Sequence, residues 1–315
     1  MPTVPVKIGI SRCLLGAEVR YDGTGARSSL PHDRLQGLFE YVDICPEMAI
    51  GMPTPRAPIR VVDIDGHKVI DPKAPDRDYA PDLKLTAQKF VATNEDLRGF
   101  IFMHNSPSCG SRRVKVYPQV GGPAARTGQG AFASAVIGDW PCLPYEDAGR
   151  LFDDTLRENF VTRVFAYARW CEFRPNLSAK GLLDFHSAHK YLLMTHSQAI
   201  YREAGVLLAN LRAAPLAEIA DAYVTLLMAG LAIPATRGGH ANTLAHIQGY
   251  LKQSLSKAAR QELAELIDAY RKNEQPLLAP IALLKHHFRE HPNEYIEMQT
   301  YLEPHPTQAG LRRPL

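Results

Sequence analysis

Residues 6–16 read VKIGISRCLLG, and this stretch decides the fold of the first half of the chain. An apolar, β-rich run opens it, and Cys13 follows closely. The same order recurs in YVDICPE at residues 41–47 and in FIFMHNSPSCG at residues 100–110. A helical pattern over about residues 81–97 precedes the last run, and strands that alternate with helices indicate a mainly parallel sheet. We therefore predict a Rossmann-like α/β amino-terminal domain.

Three cysteines, Cys13, Cys45 and Cys109, each stand just after one of these predicted strands. Ligands of parallel α/β sheets bind beyond the carboxyl ends of the strands, so we expect the three thiols at one sheet edge. Cys45 lies 32 residues after Cys13, and Cys109 lies 64 residues after Cys45. These spacings are too wide for a zinc knuckle or a CxxC pair. Three thiolates with an open fourth position suit an iron–sulfur cluster or a zinc ion, unless all three are simply buried thiols.

Polar residues accompany these cysteines. Glu47 follows Cys45 by two positions and is a candidate acid/base, although a carboxylate in the first turn after Pro46 also complements a helix N-terminus. Ser106 and Ser108 stand in the turn that holds Cys109, and we predict that their hydroxyls face a substrate. Serine is also an ordinary turn residue.

A basic cluster, Arg112, Arg113 and Lys115, comes directly after Cys109. If the cysteines form a site, this cluster would attract an anionic substrate such as a phosphate backbone. The alternative is a solvated loop. Nearby, residues 118–130 read PQVGGPAARTGQG and predict a mobile surface loop. A hairpin is expected over residues 59–70, turning at residues 65–66.

Beyond Arg150 the pattern changes to helices with a 3.6-residue period. We predict an α/β domain over residues 1–149 and an all-α domain over residues 150–315. One helix should begin after the N-cap Ser178 and break near Gly205. His186, His189 and His196 share a face of that helix, with Lys190 nearby. We predict that this face contacts RNA phosphates or the first domain, with plain helix surface as the alternative.

The composition is that of an ordinary globular protein, with 315 residues and a net charge of +3. This charge neither requires nor excludes a nucleic-acid partner. No apolar run is long enough to cross a bilayer, and no signal peptide is evident, so we expect a cytoplasmic protein without a membrane partner. The five cysteines should be thiols rather than disulfides, with Cys142 and Cys171 as structural thiols. No protein partner can be deduced.

The first half of the chain, over roughly residues 5–148, resembles the thiouracil desulfidase family. The resemblance lies in four motifs in this order: SRCLLG, VRYDG, CPE and SPSCG. The helical half, with FHSAHKYLLMTHS at residues 185–197 and HANTLAHIQGYLK at residues 240–252, resembles an uncharacterised domain that often follows the first. Long forms with both domains resemble bacterial desulfidases that act on 4-thiouridine in tRNA. After VRYDG this chain departs from the pattern, with Thr24 to Arg27 in place of a glycine and a basic pair.

The resemblance implies a 4Fe-4S cluster held by Cys13, Cys45 and Cys109, with one iron not ligated by protein. It implies that Glu47 acts as acid/base for the attack of water and that Ser106 positions or protonates the base. The expected function is conversion of 4-thiouridine in tRNA to uridine with release of sulfide. Two alternatives remain open: desulfuration of free thiouracil or thionucleosides, and a zinc-stabilised RNA-binding protein without catalysis.

Overall fold

The computed structural model describes residues 5–29, 35, 37–64, 66–306 and 311. The chain divides into two compact units, Thr3–Asp153 and Asp154–Leu315, which are described separately. The division falls four residues after the end of the predicted first domain at residue 149.

The first unit contains nine strands among its described residues: β1 Val6–Ser11, β2 Phe39–Ile44, β3 Arg60–Asp63, β4 His67–Asp71, β5 Ala74–Asp78, β6 Phe100–Phe102, β7 Val114–Pro118, β8 Ala125–Gly128 and β9 Tyr145–Asp147. Four of them form a sheet in the order β2-β1-β6-β9. Every pair in this sheet is parallel. The predicted α/β domain with a parallel sheet is confirmed.

A second sheet has the order β5-β4-β3-β7-β8 and was not expected. Its pairs are antiparallel except β3 with β7. The β3–β4 pair confirms the predicted hairpin, although residue 65 of its expected turn lies outside the described residues. The prediction of a loop over residues 118–130 was wrong in part, because β8 forms there through backbone pairing with β7.

The described residues of the first unit also form three α-helices: α1 Pro46–Ala49, α2 Ala80–Thr93 and α3 Ala131–Asp139. The core is aromatic where α2 and α3 meet the parallel sheet. Phe100 stacks on Phe102, and Phe90 and Phe132 contact Phe100. Gly9 is required beside this cluster, because a Cβ atom there would lie 2.3 Å from the Phe100 ring. Each fully buried Phe side chain contributes about 1.5–3 kcal/mol.

The second unit is helical, as predicted. Its helices are α4 Asp154–Phe173, α5 Ala179–His196, α6 Gln198–Ala209, α7 Leu216–Ala232, α8 Arg237–Gln248, α9 Lys257–Arg271, α10 Leu278–Glu290 and α11 Glu294–Glu297. Ser178 caps α5 by accepting a hydrogen bond from the Gly181 N–H at 3.1 Å, which confirms the predicted start. The break expected near Gly205 was wrong. It lies at Ser197, whose hydroxyl caps α6.

The core of the second unit lies where α4, α5 and α7 pack together. Trp170, Phe185 and Tyr223 form an aromatic cluster there, with ring centroids 5.3–6.2 Å apart. No single helix in the described part of the chain is long and apolar enough to span a membrane. The segments Leu216–Ala232 and Arg237–Leu251 pass such a test only as a pair, bent by 119°.

Candidate active site

The parallel sheet brings Cys13, Cys45 and Cys109 to one edge. Cys13 lies in a 3-10 turn after β1, Cys45 is the residue before α1 at the end of β2, and Cys109 lies in the loop after β6. All three line one cavity of about 450 Å³. Cys13 and Cys109 are buried and Cys45 is half-buried. The thiols thus face a single site, as their positions after the strands predict.

The first cysteine is held by the backbone around it. Gly16 ends the 3-10 turn in the left-handed region, with φ +98°, and its N–H bonds the Cys13 carbonyl at 3.1 Å. The Ala26 N–H bonds the same carbonyl at 2.9 Å. At the end of β1, Ser11 Oγ accepts a hydrogen bond from the Met103 N–H at 2.9 Å. This bond ties the ends of two neighbouring strands together below the cavity.

Ser106 shapes the turn that carries Cys109. Its Oγ accepts hydrogen bonds from the N–H groups of Ser108 at 3.2 Å and Cys109 at 3.0 Å. Gly130, at the start of α3, approaches this turn so closely that a Cβ atom would lie 2.5 Å from the Ser108 carbonyl carbon. Ser106 lines the cavity, and its hydroxyl is therefore placed both to hold the turn and to face a ligand.

Glu47 is fixed at both carboxylate oxygens. Ser108 Oγ donates to Oε1 at 2.8 Å. Arg56 donates to Oε2 through Nε at 2.7 Å, and its Nη2 lies at 2.7 Å from the same oxygen. The side chains of Arg56 and Glu47 are only 5% and 12% exposed. Such charge-assisted bonds to a nearly buried carboxylate set its orientation firmly.

Arg56 was missed by the sequence reasoning. It stands nine residues after Glu47 in a segment without periodicity, GMPTPRAPI at residues 51–59. The only available signal was a lone arginine among prolines shortly after CPE. Its guanidinium also donates to the carbonyls of Val19 at 2.9 Å and Pro53 at 3.1 Å. Arg56 therefore joins Glu47 to two loops that border the cavity.

The expectation that Ser108 contacts a substrate needs correction. Ser108 is 0% exposed and is absent from the cavity lining, because its hydroxyl points to Glu47. It is a partner of the carboxylate rather than a surface group. Ser106, not Ser108, is the serine of this turn that faces the cavity.

The basic cluster after Cys109 does not line the cavity either. Arg112 lies 3.2 Å from Glu146, a carboxylate that also pairs with Arg150. Arg112 and Arg113 instead line a separate cavity. Lys115 is exposed on β7. The expectation of a positive site mouth at these residues is corrected, since the loop turns them away.

Other cations line the site. Arg12, Arg20 and Arg56 all border the cavity. Arg12 pairs with Asp43. Arg20 lies close enough to Cys13 to oppose the rise in its thiol pKa. Positive charge at the cavity thus comes from three separate segments, SRCLLG, VRYDG and residues 51–59.

Burial raises the pKa of all three thiols, to about 11 for Cys13. For Cys109 the next largest cause is the Glu47 charge, and the charges of Cys13 and Cys45 raise its pKa further. The three sulfur atoms therefore interact electrostatically. A neighbouring metal centre would reverse this balance, because thiolate is the ligating form.

The chemistry of the donor set fits a soft metal centre. Three cysteine thiols line one cavity, and their thiolate forms are the ligands that iron–sulfur clusters and zinc ions take in proteins. Cys13, Cys45 and Cys109 are therefore the residues that could hold such a centre.

The histidines predicted to contact RNA lie in the core of the second unit. His189 is 2% exposed, stacks on Phe185, and has its Nδ1 at 2.8 Å from the Phe185 carbonyl. Burial lowers its pKa to about 3 and that of the partly buried His186 to about 4. Because His189 is shielded from solvent, its predicted contact with RNA phosphates is corrected, while that of the half-buried His186 stays a prediction.

Lys190, the third predicted contact on that helix, is half-buried. Its Nζ lies over the rings of Tyr191 and Tyr295, 5.0 and 4.7 Å from their centroids. Cys142 and Cys171 are half-buried thiols and do not line the three-cysteine cavity.

Three thiols and a fixed glutamate lie at one sheet edge of an α/β domain, which is the arrangement of a candidate metal-binding site beside a carboxylate. Residues 8–148 match the family described as 2-thiouracil desulfurase, and residues 190–306 match a protein family of unknown function. The chain is 35% identical over 163 residues to the uncharacterised protein YbgA of Escherichia coli (strain K12), covering 51% of this chain and 94% of YbgA. The chain belongs to the thiouracil desulfidase family, in the form that carries a carboxyl-terminal helical domain.

Among solved structures, the chain is similar to one described as a [4Fe-4S]-dependent thiouracil desulfidase, TudS. The identity is 25% and the TM-score is 0.38. The match covers 50% of this chain and 99% of the other.

Proposed function

We propose that this protein is an iron–sulfur-dependent desulfidase that converts 4-thiouridine in tRNA to uridine and releases sulfide. The observation that carries the proposal is the placement of three thiols and Glu47 around one cavity. Its volume of about 450 Å³ lies within the range of small-molecule sites and is suited to a single nucleobase. Cysteines outside disulfides are typical of a reducing compartment, which supports a cytoplasmic setting.

Cys13, Cys45 and Cys109 would hold a 4Fe-4S cluster that leaves one iron without a protein ligand. When bound, this group would supply a Lewis acid that polarises the thiocarbonyl of the substrate. The net reaction adds water across the carbon–sulfur bond and expels sulfide, so the base gains an oxo group without a change in oxidation state. No electron donor is required.

Glu47 would accept the proton of the attacking water. Its carboxylate lines the cavity, while Ser108 and Arg56 hold the two oxygens from behind. Oε1 accepts the Ser108 bond and keeps a second lone-pair direction for the water proton. The held proton can then pass to the departing sulfur, which closes the cycle at Glu47.

Ser106 would position or protonate the base. Its two recorded hydrogen bonds are both accepted from backbone N–H groups, so its O–H hydrogen is available to a ligand in the cavity. A donor in this position could bond the ring nitrogen or the exocyclic atom at the reacting carbon. Orientation of this kind contributes by fixing the reacting geometry.

A substrate in tRNA must leave its stack to enter this cavity, at a cost of a few kcal/mol. We propose that backbone contacts made by the helical unit offset that cost. The family match to a 2-thiouracil desulfurase favours the second candidate, in which the substrate is a free thiobase and the helical unit has another role.

Anaerobic incubation of the cluster-bearing protein with thiolated tRNA tests the proposal. We expect loss of the near-ultraviolet thiouridine absorbance together with release of sulfide, and neither in Cys109→Ala. Free 4-thiouracil is assayed in parallel. Turnover of the free base with no turnover of tRNA would refute the tRNA substrate and support the second candidate, while turnover by the zinc-loaded protein would refute the need for a cluster.

A further inference from the structure

Three potential metal ligands lie together on α10, in the helical unit and outside the site described above. The ligand atoms of His286, His287 and Glu290 all lie within 4.8 Å of one another. His286 Nε2 is 3.6 Å from Glu290 Oε1, one helical turn away. Residues four apart on a helix lie on the same face, and His287 lies next to both.

His287 provides the independent observation. It is 8% exposed, and both of its ring nitrogens are shielded from solvent without a hydrogen-bond partner. It stands at the edge of the buried stripe of α10, beside Leu284 and Phe288. Buried imidazole nitrogens normally have a partner, because leaving one unpaired is costly. A ligand bound to a ring nitrogen of His287 would supply the missing partner.

We propose that His286, His287 and Glu290 bind a divalent transition-metal ion of the zinc class. Two neutral imidazoles and a carboxylate are typical donors for this ion, and the fourth position would hold water. Tetrahedral bonds of about 2.0–2.1 Å place ligand atoms about 3.3 Å apart. The His286–Glu290 distance already approaches this value.

The remaining adjustment is small and falls on mobile groups. The side chains of His286 and Glu290 are 51% and 57% exposed, so they can rotate toward the buried His287. The nearest lysine on the helix, Lys285, is bonded to Glu303 at 2.6 Å. Lys285 is thus engaged by a different carboxylate, while Glu290 lies 3.6 Å from His286. The metal would give the buried imidazole a partner and tie the exposed face of α10 to its core face.

The alternative is an ordinary exposed His286–Glu290 pair next to a core histidine. The two interpretations differ in metal binding. Co²⁺ serves as the probe, because its visible absorption reports coordination and its near-ultraviolet thiolate band reports cysteine ligands. The full-length protein is used with its cluster assembled, so that Cys13, Cys45 and Cys109 are not available to the probe.

We expect one equivalent of Co²⁺ to bind without a thiolate band, and Zn²⁺ to displace it. Binding should weaken at least tenfold in His286→Ala and in Glu290→Gln, whose side chains are exposed enough to leave the fold intact. His246→Ala, an exposed histidine on α8, is the matched control and should bind like the parent.

Zn²⁺ should also raise the unfolding temperature of the parent and of the control, but not of the two variants. No Co²⁺ binding at micromolar concentration would overturn the proposal, as would equal binding by parent, His286→Ala and Glu290→Gln. Because these substitutions lie in the helical unit, desulfidase turnover on a free thiobase gives a separate readout, and failure of one proposal leaves the other standing.

Discussion

Arg56→Ala should destabilise the α/β unit and abolish most turnover. The substitution removes the partner of Glu47 Oε2 and leaves a carboxylate that is only 12% exposed. Removal of one member of a buried ion pair costs about 3–5 kcal/mol. The lost bonds to the carbonyls of Val19 and Pro53 place the expected value toward the upper end.

This cost is large enough to be seen by calorimetry. For a domain of this size, about 1 kcal/mol shifts the unfolding temperature by about 2–4 °C, so we expect a shift of about 6–20 °C in one transition. The transition of the helical unit should stay in place. Arg56→Lys keeps the charge but not the forked geometry, so its unfolding temperature should lie between those of the parent and Arg56→Ala.

Arg77→Ala is the matched control, because Arg77 pairs with Asp82 at 3.4 Å and both side chains are at least half exposed. Its cost should stay below about 1 kcal/mol. If Arg56→Ala unfolded within 1 kcal/mol of Arg77→Ala and kept the parent kcat, the argument that Arg56 holds Glu47 in place would fail.

Three further results are expected. Gly130→Ala should lower the free energy of unfolding by about 1–3 kcal/mol and reduce iron retention, because its Cβ would meet the Ser108 backbone at 2.5 Å. The control Gly138→Ala, whose Cβ has nothing within 4 Å, should be neutral. Equal iron content and unfolding midpoints in the two variants would contradict this. Ser108→Ala should lower kcat more than it raises KM, since it frees one oxygen of Glu47, and an unchanged kcat would remove Ser108 from the mechanism. Acid should destabilise the helical unit, because the pKa of His189 is about 3 in the folded state and about 6.5 in the unfolded chain. Below pH 6.5 the unfolded chain therefore binds an extra proton, and the free energy of unfolding falls by about 2 kcal/mol at pH 5. His189→Phe should make this dependence shallower in urea titrations, with the remainder due to His186, whose pKa is also lowered. An unaltered slope would show that His189 is not responsible.

The sequence predicted the parallel sheet and its cysteine edge because both depend on local signals. Apolar runs mark the buried strands, and each cysteine follows a strand end. Ser178 likewise predicted the start of α5, because serine is a favourable N-cap residue. These features follow from backbone geometry within a few residues and need no knowledge of distant contacts.

The second sheet and the partners of Glu47 could not be predicted in this way. β5 is short and mostly exposed, and β8 lies in a segment rich in glycine, so their pairing rests on backbone bonds rather than on an apolar pattern. Arg56 reaches Glu47 through a loop whose path has no period. His189 was predicted to lie at the surface, because the sequence does not distinguish a buried, neutral histidine from an exposed one.

The junction between the two units is very short. A 3-10 turn ends at Phe152, and α4 begins at Asp154. The backbone thus passes from the first unit to the second without a linker segment. Residue 153 is the position at which flexible residues could be inserted without interrupting a helix of either unit.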